Sequence, residues 1–136
     1  MKKLRVGILF GGRSGEHEVF KDGEQRRDFL YVKDAAEMTL HFADTARTAA
    51  GLYNLGSGEA NTLLTLTSAL FSALGRPPAV DFIDMPESLR SRYQYFTQAD
   101  ISKLRRTGYV RLVTPLGEAV RDYVRAYLVP GKRLGE

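Results

Sequence analysis

Cysteine is absent from the sequence, and its absence excludes disulfide bonds and thiolate metal ligands. Histidine is scarce, since His17 and His41 lie far apart and form no metal-ligand pattern. No stretch approaches the roughly 20 apolar residues that a membrane-spanning helix needs. We therefore expect no bound metal, no membrane association and a cytoplasmic location.

Long runs of one charge are also missing. The net charge is +4, and acidic and basic residues are interleaved, as in "EQRRD" and "SKLRR". Nucleic-acid-binding surfaces usually show a basic block or an alternation of basic and aromatic residues. The sequence therefore predicts no nucleic-acid partner.

Apolar segments and turn residues predict strands that alternate with helices. Buried strands are predicted at Leu4–Phe10, Gly51–Gly56 and Ala79–Ile83, with a polar loop at Phe20–Arg27 and a short strand or extended segment at Phe29–Val32. Helices are predicted at Lys33–Thr48, Leu63–Leu74 and Gln98–Arg106, and a last helix after Thr114 and Pro115 carries the stripe Leu116, Ala119, Val120, Tyr123 and Tyr127. This order favours an α/β fold with mainly parallel strand pairing.

The glycine turn after the first predicted strand, "GGRSGEHEV", needs a separate interpretation. Its spacing fails the dinucleotide fingerprint because Glu18 occupies the third glycine position, where a carboxylate would repel a phosphate. Residues 1–19, "MKKLRVGILFGGRSGEHEV", resemble the start of the D-alanine–D-alanine ligases. That resemblance implies a substrate contact for Glu16. The alternative is that this segment serves only as a strand and a turn.

From Phe20 to Leu128 the sequence carries a second resemblance. The segments "FKDGEQRRDFLYVKDAAEMTLHF", "GLYNLGSGEANTLLTL", "FIDMPESLRSRYQYFTQADISKLRRTGY" and "TPLGEAVRDYV" resemble, in the same order, the C-terminal part of the ADP-L-glycero-D-manno-heptose 6-epimerases. These enzymes are extended short-chain dehydrogenases/reductases of lipopolysaccharide precursor synthesis. The resemblance implies a partial Rossmann-like, mainly parallel sheet with the C-terminal substrate lobe of that family, followed by a frayed tail at residues 129–136.

The epimerase resemblance also implies a substrate site. Arg27 occupies the diphosphate-contacting position, and a guanidinium can grip a diphosphate bidentately. Tyr93 matches the tyrosine that touches the substrate, and the loop of Phe20, Lys21, Asp22 and Gly23 lines it. The alternative is that Arg27 is a surface salt-bridge partner of Asp28 or Asp34, with Tyr93 an aromatic residue at the edge of the core.

The catalytic parts of that family are missing from the sequence. Its NADP-dependent isomerase chemistry needs a glycine fingerprint and a Tyr-x-x-x-Lys pair. That spacing occurs nowhere in the 136 residues, since Tyr31 is followed four residues later by Ala35 and Tyr93 by Thr97. We therefore expect no retained cofactor and no catalytic residue.

These observations predict a junction at Val19–Phe20 between parts of two enzymes. The favoured hypothesis is a truncated or chimeric epimerase remnant that binds ADP-sugar weakly and self-associates. The alternatives are a small active enzyme, a structural or self-associating module without a ligand, and a fragment of a D-alanine–D-alanine ligase.

Overall fold

The computed structural model describes residues 18–20, 23–44 and 51–132. Its strands are β1 (Glu18–Phe20), β2 (Arg26–Asp28), β3 (Ala60–Thr62) and β4 (Asp81–Ile83). Its helices are α1 (Val32–Asp44), α2 (Leu63–Ala73), α3 (Glu87–Arg90), α4 (Ser102–Arg105) and α5 (Leu116–Tyr123). A π-helical segment at Val124–Leu128 continues α5.

The described strands form two small sheets. β1 runs parallel to β4, with Val19 opposite Phe82. β2 runs antiparallel to β3, with Arg27 opposite Asn61. An isolated bridge between Arg26 and Phe96 is also parallel, so parallel and antiparallel pairing both occur among the described strands.

β2 is bordered on both edges. Beside the edge opposite β3 runs the segment 95–97, where the Arg26 N–H donates to the Tyr95 carbonyl at 2.9 Å and the Thr97 N–H donates to the Arg26 carbonyl at 3.1 Å. The strand therefore lies at residues 26–28, within the predicted polar loop. Residues 29–31 of the predicted short strand or extended segment form no strand, and Val32 begins α1. Backbone pairing on both sides outweighs the polar composition that favoured a loop.

Helix α1 packs over a core made of Met38, Leu104 and Tyr109, with Leu30, Phe42 and Val113 packed against it. Polar contacts fix the same interface. The Asp34 carboxylate accepts hydrogen bonds from the Thr114 N–H and hydroxyl, each at 2.9 Å. Arg111 pairs with Glu37 at 2.7 Å.

Helix α2 has the predicted extent. The Thr62 hydroxyl caps its start by accepting the Thr65 N–H at 3.0 Å, and Gly75 follows its end in the left-handed conformation (φ 65°). α2 packs against α5, and the buried residues of this pair are Thr67, Phe71, Ala119, Val120 and, in the π-helical segment, Val124.

The predicted apolar stripe of the last helix is only partly buried. Tyr123 is 49% exposed, and its ring stacks on the ring of Tyr127, which is also exposed. Val124, which the prediction left out, is fully buried. The buried face is centred on Ala119, Val120 and Val124, so the two tyrosines lie at its rim.

The helix predicted at Gln98–Arg106 shrinks to α4. Residues 97–99 instead bond to β2, since Thr97 donates to the Arg26 carbonyl and Ala99 donates to the Asp28 carboxylate at 3.0 Å. Asp100 then accepts the Ser102 N–H at 2.9 Å and marks the later start. Tertiary hydrogen bonds therefore delay the start of the helix beyond the predicted residue.

Two further expectations concern Leu4–Phe10 and Gly51–Gly56, which were predicted as buried strands. Gly51–Gly56 forms no strand with any part of the chain that the structure describes, and Leu52 within it is 87% exposed. Leu4–Phe10 lies outside the described residues. Among residues 18–20, 23–44 and 51–132, no helix has the length and apolar character needed to cross a membrane.

Candidate functional site

Arg27 and Tyr93, which are 66 positions apart, are brought into contact. The guanidinium carbon of Arg27 lies 5.2 Å from the centre of the Tyr93 ring, within the range of a cation–π interaction. β2 carries Arg27, and the segment 95–97 that borders β2 brings Tyr93 alongside it. Both side chains are partly buried.

The hydrogen bonds of the neighbouring carboxylates bear on the salt bridge that the alternative interpretation gave to Arg27. The Asp28 carboxylate is occupied by donors from residues 57, 58 and 99, and the Asp34 carboxylate is occupied by Thr114. The Arg27 Nη1 donates instead to the Arg26 carbonyl at 2.8 Å. Arg27 therefore forms no salt bridge with Asp28 or Asp34 in this structure.

Tyr93 is held between two neighbours. Its ring meets the ring of Tyr95 edge to face, with 5.8 Å between the centroids. Burial raises the pKa of the Tyr93 phenol, and the charge of Arg27 opposes part of that rise. The phenol is therefore neutral at physiological pH and offers a polar ring edge beside a cation.

Asp28 joins three segments at one point, which we call the Asp28 junction: residues 26–28, 56–58 and 97–99. Its carboxylate accepts hydrogen bonds from the Ser57 N–H (2.7 Å), the Ser57 hydroxyl (2.6 Å), the Gly58 N–H (3.0 Å) and the Ala99 N–H (3.0 Å). Burial on its own would raise the pKa of Asp28, but the hydrogen bonds from Ser57, Ala99 and Gly58 together hold that pKa below its ordinary value.

Glycine is required at the Asp28 junction. A Cβ on Gly56 would lie 2.3 Å from the Ala99 Cβ and 2.8 Å from Asp28 Oδ2. Gly58 adopts the left-handed conformation, with φ of 77°. The sequence motif "NLGSG" therefore forms a turn whose N–H groups converge on a carboxylate of the same chain.

The remaining predicted site residues are distributed differently. Gly23 is buried in a left-handed turn (φ 64°) against Leu64, where a Cβ would meet the Leu64 Cγ at 2.5 Å. The backbone of Phe20 lies in β1 opposite Ile83. Lys21, Asp22 and Glu16 lie outside the described residues. Of the predicted set, the described residues bring together only Arg27 and Tyr93.

Two grooves adjoin the Asp28 junction. The larger has a volume of about 690 Å³ and runs along residues 57–59 and 96–102 as far as Arg105. The smaller has a volume of about 450 Å³ and includes Asp28, Tyr53 and Gln98. Arg27 and Tyr93 line neither of these two grooves.

Sequence reasoning missed Asp28 and Ser57. One signal was available, since aspartate is depleted in strands and Asp28 ends the strand that carries Arg27. Metal ligation was not expected from the sequence, and the described residues contain no group of three or more histidine and carboxylate side chains placed to hold an ion.

Comparisons with known proteins identify relatives of the chain. A sequence model of the "NAD dependent epimerase/dehydratase family" matches residues 6–56. The ADP-L-glycero-D-manno-heptose-6-epimerase of Fusobacterium nucleatum subsp. nucleatum is 44% identical over 117 residues, which cover 82% of this chain and 35% of that enzyme. The enzyme of the same name from Nitratidesulfovibrio vulgaris (strain DP4) is 43% identical over 112 residues, which cover 82% of this chain and 34% of that enzyme.

Solved structures give a consistent result. The UDP-N-acetylglucosamine 4-epimerase of Methanobrevibacter ruminantium M1, in complex with UDP-N-acetylmuramic acid, superposes with a TM-score of 0.69 at 26% identity, over 85% of this chain and 36% of that one. The UDP-glucuronic acid 4-epimerase of Bacillus cereus, in complex with NAD, gives a TM-score of 0.62 at 26% identity, over 80% of this chain and 34% of that one.

These findings establish homology to the ADP-heptose 6-epimerases and to the wider NAD-dependent epimerases, whose fold is Rossmann-like. The chain spans about a third of the length of the relatives it matches. The family match begins at residue 6 and therefore runs across Val19 and Phe20. The described part of the fold is a fragment with small sheets.

The comparisons overturn the expectation that no cofactor is retained. The Bacillus cereus enzyme and a related enzyme from Bordetella bronchiseptica are both described with NAD, and the matching family is NAD-dependent. Within the described residues, the glycine turn at 56–58 does not fit a pyrophosphate, because the N–H groups of Ser57 and Gly58 already donate hydrogen bonds to the Asp28 carboxylate.

Proposed function

We propose that this chain binds an ADP-sugar at the surface formed by Arg27 and Tyr93. The observation that supports the proposal is the cation–π contact between these two side chains. Arg27 binds the diphosphate and Tyr93 packs against the sugar. Homology to nucleotide-sugar epimerases over 82% of the chain supports this class of ligand.

The chemistry of the two side chains fits such a ligand. A guanidinium keeps its charge at any physiological pH and matches the spacing of two phosphate oxygens. An aromatic ring beneath it holds its plane in place at little entropic cost.

The affinity is weak in this proposal. One charge-assisted contact contributes about 1.5–3 kcal/mol, while association costs at least about 4 kcal/mol in lost freedom of motion. We therefore expect a dissociation constant of about 1 mM or weaker.

We further propose that the chain alone does not carry out epimerisation. The resemblance to the epimerases implies an acid–base pair in which a nearby lysine lowers the pKa of a tyrosine phenol. Tyr31 lies beside Lys33, but burial and the hydrogen bond it donates to Asp122 raise its pKa instead. Such a phenol is a poor base.

The binding proposal is tested by ¹H–¹⁵N NMR spectra recorded with increasing ADP. We expect small, saturable shifts around Arg27 that Arg27→Ala removes. The matched control is Arg121→Ala, which removes an exposed arginine on α5 and should leave the shifts unchanged. Equal responses of wild type and Arg27→Ala would show that Arg27 is only a surface charge.

The catalytic proposal needs separate assays. We expect no conversion of ADP-heptose in the presence of NADP or NAD, and turnover there would contradict it. The chimeric junction at Val19–Phe20 and a ligase-like role for Glu16 also stand as proposals. ATP hydrolysis dependent on D-alanine would favour the ligase-like alternative.

A second candidate function is self-association without a ligand. Leu52, Val110 and Leu112 are between 84% and 89% exposed, far more than large apolar side chains in a core. Burying exposed apolar side chains against another protein surface is favourable. These side chains favour contact with a second copy.

A further inference from the structure

Asp28 makes no contact of its own with the proposed ligand, yet its hydrogen bonds tie together the segments that present Arg27 and Tyr93. We propose that Asp28 is a positioning residue that sets the geometry of the Arg27–Tyr93 pair. The inference rests on the proposed function for its meaning, but its central measurement needs no ligand.

The first step of the argument is the position of Asp28 on β2. It follows Arg27 directly, and successive side chains of a strand point to opposite faces. Arg27 therefore faces Tyr93 on one side while Asp28 bonds to Ser57, Gly58 and Ala99 on the other. Arg27 and Asp28 are therefore adjacent on the backbone of β2, but their side chains lie on opposite faces of the strand.

The second step concerns the segment that brings Tyr93 to the site. Its hydrogen bonds to β2 run from Tyr95 to Ala99: the Arg26 N–H to the Tyr95 carbonyl, the Thr97 N–H to the Arg26 carbonyl, and the Ala99 N–H to the Asp28 carboxylate at 3.0 Å. The Asp28 N–H also donates to the Thr97 hydroxyl, at 3.4 Å. Asp28 therefore fixes the far end of the segment that begins beside Tyr93.

The third step concerns the turn at residues 56–58, which bonds both to β2 and to the segment 97–99. Its N–H groups bond to Asp28, and the Gln98 side-chain amide donates to the Gly58 carbonyl at 2.6 Å. Gly56 lets Ala99 approach closely. The strand β2, the turn at 56–58 and the segment 97–99 are therefore each hydrogen-bonded to the other two, with the Asp28 carboxylate at the point where they meet.

Replacing the Asp28 carboxylate by an amide should break some of the hydrogen bonds that join these three segments. An asparagine side chain has a single acceptor oxygen, and its NH₂ group would face N–H donors that need an acceptor. Some of the donors from Ser57, Gly58 and Ala99 would then lose their partner. Segment 97–99 would no longer be held to β2 beyond Thr97, and Tyr93 would shift relative to Arg27.

The test is the ring-current shift of the Arg27 side-chain protons, which reports their position over the Tyr93 ring without any ligand. Tyr93→Leu gives the reference without a ring. We expect Asp28→Asn to lose most of the upfield shift. The matched control is Asp34→Asn, which removes a carboxylate that also bonds a backbone N–H and a hydroxyl but lies outside the site. It should keep the shift.

A second variant covers the case in which Asp28→Asn does not fold. Ser57→Ala removes one donor, the hydroxyl at 2.6 Å, and leaves the carboxylate in place. We expect a partial loss of the ring-current shift. Full retention of that shift in folded Asp28→Asn, or in Ser57→Ala where Asp28→Asn is unfolded, would overturn the inference.

The ADP titration then separates this inference from the proposed function. With both correct, Asp28→Asn weakens ADP binding by about tenfold or more, the scale of one lost charge-assisted contact, and Asp34→Asn does not. If wild type keeps the ring-current shift but ADP causes no response, the proposed function fails and the positioning role is still decided by the ring-current data.

Discussion

At the residue scale, the Asp28 carboxylate explains why three distant sequence segments occur together. The segment "RRDF" supplies the acceptor, which is the Asp28 carboxylate. The segment "NLGSG" supplies two backbone N–H donors, and "TQAD" supplies the third. Sequence resemblance identified Arg27 and Tyr93 as a pair but gave no reason for their proximity. That reason depends on hydrogen bonds between residues about 30 and 70 positions apart, which no local pattern reveals.

Gly56 provides the first prediction. Gly56→Ala should lower the free energy of unfolding by about 1–3 kcal/mol, because its Cβ would lie 2.3 Å from the Ala99 Cβ and the neighbours would have to move. The control is Gly117→Ala on α5, where nothing lies within 4 Å of the added Cβ and stability should rise by up to about 1 kcal/mol. Urea unfolding measures both. Equal effects of the two substitutions would contradict the tight packing at Gly56.

Acid sensitivity at Asp28 is the second prediction. Its folded-state pKa is held below the ordinary 3.8, so its contribution to stability is present above that value and is lost as the pH falls through the folded-state pKa. In wild type, the urea midpoint should therefore fall as the solution is acidified below pH 3.8. Asp28→Asn should show a shallower fall over the same range. Parallel curves would show that Asp28 is not held ionised.

At the scale of elements, sequence patterns succeeded where packing follows local periodicity. Helix α2 has the predicted extent because its cap at Thr62 and its stop at Gly75 are local signals. The helix predicted at Gln98–Arg106 is confined to Ser102–Arg105 because residues 97–99 bond to β2. For a similar reason strand β2 lies at Arg26–Asp28, just before the segment Phe29–Val32 that was predicted as a short strand or extended segment. Pairing partners far along the chain decided both cases.

Helix α1 provides the third prediction, through two neighbouring side chains. Met38 is fully buried in the core with Leu104 and Tyr109, so Met38→Ala should lower the free energy of unfolding by about 2–5 kcal/mol. Leu40, two positions along the same helix, is 57% exposed, and Leu40→Ala should change stability by less than about 0.5 kcal/mol. Chemical denaturation measures both changes. A similar loss for the two would mean that α1 buries a different face.

At the scale of the whole molecule, the chain matches about a third of the length of its epimerase relatives and exposes large apolar side chains. Homology could be inferred from sequence alone, because motifs such as "RDFLYVKD" and "MPESLRSRYQYFTQAD" are read directly. The direction of strand pairing could not be inferred from the sequence. An alternation of strands and helices does not distinguish the parallel pair β1–β4 from the antiparallel pair β2–β3.

Self-association is the fourth prediction. We expect sedimentation velocity to show a concentration-dependent rise in mass, driven by burial of side chains such as Leu112, which is 89% exposed. Leu112→Ser should weaken that association. The polar control Arg92→Ser, at another exposed position, should not. A single monomeric species at millimolar protein concentration would contradict the prediction.

The most direct test of the central claim, that Arg27 and Tyr93 form a diphosphate-dependent nucleotide-sugar site, compares ADP with adenosine in NMR titrations of the wild-type chain. The followed signal is the Arg27 side-chain N–H. We predict a saturable shift with ADP, with a dissociation constant of about 1 mM or weaker, and no saturable shift with adenosine, because the guanidinium binds the diphosphate. Equal responses to ADP and adenosine, or no response to ADP, would contradict the claim.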